Sequence, residues 1–102
     1  MEEIISKIVN KLIQSGYEKK NAQSLGERLH ASDKIREQLL CWIEKNEELD
    51  CIYENVSALE LMRERGYTYP AALSMIAWLY RDSESAYKAL SARIDYIGRR
   101  TK

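Results

Sequence analysis

Few side chains in this chain are able to do acid–base, nucleophilic or metal chemistry. There is one histidine, His30, and there are two cysteines, Cys41 and Cys51, ten residues apart with no second pair. A structural zinc site draws four ligands from closely spaced pairs, and a disulfide framework draws on a larger even set, so this spacing suggests neither and predicts two free core thiols. His30 falls near the end of a predicted helix, before Ala31-Ser32, where an imidazole binds a terminal carbonyl or faces water. Glu47 and Glu48 sit in a charged stretch and read as a solvated helix end, not as an acid–base pair. No HExxH, Gly-rich phosphate loop or Asp-rich calcium loop is present. The expectation is a protein without catalytic activity, cofactor, metal or evident small-molecule substrate.

Composition narrows the class. The chain has 102 residues, 16 Lys+Arg against 16 Asp+Glu, a hydrophobic fraction of 45% and no Phe. Strand-favouring residues are scarce while Leu, Ala, Glu, Lys and Arg dominate, which predicts an all-α, compact single-domain bundle of about six helices over residues 1–98 with a basic tail at 99–102. Zero net charge argues against a general nucleic-acid coat or a membrane-surface protein. No apolar run reaches about 18 residues and Met1-Glu2-Glu3 is acidic, so the reading is intracellular and cytoplasmic.

The positioning elements follow from periodicity and punctuation. Ile4, Ile5, Ile8, Val9, Leu12 and Ile13 form one helical stripe that Gly16 stops. A thinner stripe of Ala22, Leu25 and Leu29 follows, weakened at Gly26. Ser32 or Asp33 caps a third helix through Ile35, Leu39, Trp42 and Ile43 to about Glu48, and an apolar connector at 49–54 lies against the core. Ser57 and Glu60 have capping-box spacing for a fourth helix, with Val56, Leu59 and Met62 inward and Gly66 as its stop. Pro70 starts a fifth helix, apolar nearly all round and therefore central, and forces Tyr69 out of the helical region. Asp82 or Ser83 caps a sixth, carrying Ala86, Tyr87, Leu90, Ile94 and Ile97.

A shift of fifty residues superposes Leu12 on Met62, Gly16-Tyr17 on Gly66-Tyr67, Ala22 on Ala72, Leu25 on Met75 and Leu29 on Leu79. That leaves open two related three-helix units, 3–48 and 55–98, although Gly26 falls opposite Ile76. Gly66-Tyr67, Ala72, Ala86 and Leu90 are spaced in a way that resembles ubiquitin-associated domains. The resemblance implies a ubiquitin-contacting patch that would include Gly66, Tyr67 and Leu90, and the fit is incomplete at the heavier Trp78 and Leu79.

Two binding classes remain. Six of the seven tyrosines lie between Tyr53 and Tyr96, more polar-tipped rings than one helix can cover. Surface Tyr supplies large contact area with few torsions to freeze, so a protein-interaction module is expected, binding a protein partner or itself through Tyr67, Tyr69, Tyr87, Tyr96, Arg99 and Arg100. The acidic residues between Glu44 and Glu60, set against Lys88, Arg93, Arg99, Arg100 and Lys102, add opposed charge that could pair within or between chains. The alternative is a nucleic-acid-binding regulator using Lys19, Lys20, Arg28, Lys34 and Arg36. Leu29 carries the stripe past Gly26, which places the turn at Ala31-Ser32, too late for a helix-turn-helix.

Overall fold

Helix α1 (Glu2–Gln14) and helix α4 (Ala58–Arg65) each run into a glycine of positive φ, +108° at Gly16 and +71° at Gly66. The left-handed turn swings the next amide back over the helix end, so Tyr17 donates to the Leu12 carbonyl at 3.1 Å and Tyr67 to Leu61 at 3.3 Å. Both stops lie where the sequence predicts them. In the computed structural model the described residues are 2–91, forming an all-α bundle of six helices with one small hairpin. Ile94, Tyr96, Ile97, Arg99, Arg100 and the 99–102 tail lie outside the described residues.

Helix starts are set by hydroxyl and carboxylate caps. Ser57 Oγ accepts from the Glu60 amide at 3.3 Å ahead of α4, and Asp82 Oδ1 accepts from the Ser85 amide at 3.3 Å ahead of the last helix, α6, which covers 83–91. Helix α5 (Tyr69–Arg81) begins one residue before the predicted Pro70 start. The Thr68 hydroxyl accepts from the Ala71 amide at 3.3 Å, which makes Thr68 the cap and Tyr69 the first helical residue. Helix α2 (Lys19–His30) begins as predicted. Helix α3 (Arg36–Lys45) is shorter than expected, because neither Ser32 nor Asp33 caps it and Asn46 ends it in the left-handed region at φ 58°. Asp33 instead pairs with Arg36 at 2.6 Å, and the fully buried Ile35 draws the preceding turn into the core.

The connector after α3 is not a plain loop. It forms an antiparallel hairpin of β1 (Ile52–Tyr53) and β2 (Val56–Ser57), closed by Glu54-Asn55, with Glu54 at φ 52°. Asp50 anchors it: its carboxylate accepts from the Cys51 amide at 2.9 Å, the Ser57 hydroxyl at 2.8 Å and the Leu59 amide at 3.2 Å. Seating the hairpin on the start of α4 rotates that helix, so Ala58 and Leu61 are buried while Leu59, expected inward, is exposed.

The core closes on α5. Tyr69, Pro70, Ala72, Leu73, Met75, Ile76 and Leu79 of this helix are buried, and α2, α4 and the hairpin pack against it. On the far side α1 and α2 meet through Ile8, Val9, Leu12, Ala22, Leu25 and Leu29. Gly26 permits that approach: a Cβ there would sit 3.0 Å from Val9 Cγ2 and 3.5 Å from Ile8 Cγ2. From sequence alone Gly26 is only a weakness of α2, whereas its missing side chain is the space that α1 occupies. The fifty-residue offset relates buried Ala22 to Ala72, Leu25 to Met75 and Leu29 to Leu79, and also buried Gly26 to Ile76.

Adding volume at this contact forces the helices apart. Gly26→Val should lower stability by about 1–3 kcal/mol, read as a reduced urea midpoint with an unchanged slope. An equal or raised midpoint would remove Gly26 as the determinant of the α1–α2 distance.

Candidate functional site

His30 is half-buried and lines a concavity of about 240 Å³ with Ile4, Leu29, Ser32, Arg36 and Leu40, a set that does not include either cysteine. Cys41 is half-buried and Cys51 buried, both free. Burial, followed by the neighbouring Asp50 carboxylate, pushes the Cys51 thiol up, away from nucleophilic character. Among the described residues no cluster of three or more His, Cys, Asp or Glu is placed to hold a metal ion, and no helix is long and apolar enough to cross a membrane.

The tyrosines divide into two sets. Tyr67 and Tyr69, expected at a contact surface, are core residues only 6% and 2% exposed. Tyr69 packs on Trp42 with ring centroids 5.9 Å apart and donates its hydroxyl to the Leu49 carbonyl at 2.6 Å, so it ties the loop after α3 to the start of α5. The ubiquitin-associated resemblance meets the same obstacle, since Tyr67 and Leu90 are buried and only Gly66 is exposed. Position on the Gly-Tyr loop is not enough to expose the ring, because the hydrogen bond from the Tyr67 amide to the Leu61 carbonyl folds the loop back onto α4.

The second set forms a surface cluster. Tyr53 of the hairpin meets Tyr80 at the end of α5 edge to face, centroids 4.9 Å apart at 84°, and Tyr87 of α6 at 6.5 Å and 60°. Tyr80 is 43% exposed and the adjacent Ile52 is 54% exposed. The Tyr80 hydroxyl donates to the Ile52 carbonyl at 2.9 Å and the Tyr87 hydroxyl reaches Glu54 at 3.5 Å, which fixes both rings against the hairpin. Of the predicted contact residues among the described ones, Tyr67, Tyr69 and Tyr87, only Tyr87 belongs here. Tyr53 and Tyr80 join it through a hairpin whose signal, two short apolar runs around Glu54-Asn55, is present in the sequence but lacks the usual glycine.

The basic residues of the alternative reading are all exposed but do not form one footprint. Lys19 and Lys20 lie in the first turn of α2 and Arg28 in its last, about 12 Å along the axis. Arg36 is held by Asp33. Arg28 and Lys34 do come together, and Arg81 joins them, around a cleft of about 280 Å³. The acidic side chains from Glu44 to Asp50 are exposed, and Lys88, the described member of the opposed basic set, pairs with Glu84 at 3.7 Å.

No family model, curated protein or solved structure matches the chain.

Burial, and then the negative potential of Cys51, Glu48, Cys41 and Asp50, holds the Tyr69 phenol well above its ordinary range. A folded-state value above the unfolded one gives stability that is complete below about pH 10 and is lost as pH rises beyond it. Urea melts from about pH 7 to about pH 11 should therefore show an alkaline loss that Tyr69→Phe reduces, with a neutral-pH cost of about 0.5–1.5 kcal/mol for the lost bond to Leu49. The same alkaline loss in both proteins would assign it to other groups.

Proposed function

We propose that the protein is a non-catalytic interaction module that docks a protein partner, or a second copy of itself, on the aromatic face of Tyr53, Tyr80 and Tyr87. The observation that carries this reading is the Tyr53–Tyr80–Tyr87 cluster, with centroids at 4.9 and 6.5 Å and Tyr80 left exposed. Rings already held by hydrogen bonds to Ile52 and Glu54 lose little freedom when a partner covers them, so more of the contact energy appears as affinity. Tyr is enriched at the centres of such contacts because a large apolar face ends in a hydroxyl able to find a partner. Charged residues flank the face, Lys34 with its Nζ 5.5 Å from the Tyr80 ring centroid and Glu54 at Tyr87, which gives orientation as well as area. This is the Tyr-rich C-terminal half expected from the sequence, with a different set of rings. Two unpaired cysteines fit the reducing cytoplasm.

Photo-crosslinking tests this directly. With p-benzoylphenylalanine in place of Tyr80, cross-linked adducts should form in native extract, or chain-to-chain adducts in the purified protein. The same group in place of Lys20, on the far end of α2, should yield about tenfold less. Equal yields from the two positions, or none from Tyr80, would refute the aromatic face as the docking surface.

A further inference from the structure

Arg28 in the last turn of α2, Lys34 in the turn before α3 and Arg81 in the last turn of α5 converge on one cleft of about 280 Å³. Three separate parts of the fold supply one cation each. Among the described residues the ion pairs are Asp33 with Arg36 at 2.6 Å and Glu84 with Lys88 at 3.7 Å, so none of the three has a carboxylate at ion-pair distance. The cleft's own acid, Asp33, is therefore already engaged, and Asp82 beside Arg81 caps α6 through the Ser85 amide. Two helix C-termini meet here and bring roughly half a negative charge each, which Arg28 and Arg81 more than offset, while Lys34 belongs to neither helix end. A positive surplus remains in a concave site.

The wall is built as well as charged. Tyr80 lines the cleft, its hydroxyl is fixed to the Ile52 carbonyl, and Lys34 Nζ lies 5.5 Å from its ring centroid, which holds the ammonium at the rim. The half-buried Ser32 adds a hydroxyl to the lining. We infer that this cleft binds a compact phosphate carrying two or more negative charges, such as a phosphomonoester or pyrophosphate group. Two guanidinium forks and an ammonium match several phosphate oxygens at once, where a carboxylate would engage only part of the set. A nucleic-acid backbone fits less well, because its monoanionic phosphates follow one another along a row, and the next cations on α2, Lys19 and Lys20, are about 12 Å away. The site shares Tyr80 and Lys34 with the aromatic face, and the purified chain reads phosphate binding with no partner present.

The test is a titration of the isotopically labelled full chain with sodium pyrophosphate, followed by amide NMR, with ionic strength held constant by sodium chloride. Saturable shifts should centre on Ser32, Lys34 and Arg81. Lys34→Gln and Arg81→Gln should each weaken binding about tenfold, whereas Lys20→Gln should leave it unchanged. Arg28→Gln provides a third variant should either of the others disturb the fold. Shifts that sodium chloride alone reproduces, or equal weakening by Lys20→Gln, would overturn the inference. Duplex DNA binding more tightly than pyrophosphate with equal sensitivity to Lys20 and Lys34 would overturn it in favour of a nucleic-acid surface.

Discussion

Helix α5 has almost no side it can leave in water. Seven of its residues are buried, from Tyr69 to Leu79, and they point in several directions around the axis, so other elements must pack around it. Helices α2 and α4 and the hairpin meet that demand, and Ala86 and Leu90 of α6 join the same core. The covering is uneven along the helix. Its first turn is buried, with Tyr69 and Pro70, while its last turn ends in exposed Tyr80 and Arg81. Both the ring cluster and the cationic cleft stand at this uncovered end, since it is where side chains of α2, the hairpin, α5 and α6 meet outside the core.

Tyrosine replaces phenylalanine here as a fastening. The Tyr69 hydroxyl reaches the Leu49 carbonyl, the Tyr80 hydroxyl reaches the Ile52 carbonyl, and the Tyr17 hydroxyl bonds that of Thr68, which also caps α5. Each bond joins a helix or its cap to a segment distant in sequence, two of them to carbonyls between α3 and α4, Leu49 ahead of the hairpin and Ile52 within β1. Phenylalanine would fill the same volume and leave these connections unmade. A Tyr excess therefore has two causes in one molecule, core rings with anchored hydroxyls and surface rings that share a face, and counting tyrosines cannot separate them.

Local signals were legible wherever local physics decides. The stops at Gly16 and Gly66, the Ser57 cap and the centrality of an all-round apolar helix need only the neighbouring residues to be understood. What stayed hidden depends on tertiary contacts. Asp50 looks like one more solvated acid until the hairpin brings Ser57 and the Leu59 amide to it, and that seating also turns Leu59 outward. Gly26 reads as a defect until Val9 is placed against it. Arg81 is far in sequence from Arg28 and Lys34, so their cleft exists only after α2 and α5 have packed.

Tyr80 and Tyr87 belong to the proposed docking face, whereas Tyr67 and Tyr69 lie within the core. Tetranitromethane nitration mapped by peptide mass spectrometry, on the purified chain and again in native extract, reads both halves together. Tyr80 and Tyr87 should react fast in the purified chain and become protected in extract, while Tyr67 and Tyr69 react slowly in both. Fast nitration of Tyr67 or Tyr69 in the purified chain, or reactivity of Tyr80 and Tyr87 unchanged by extract, would contradict this division.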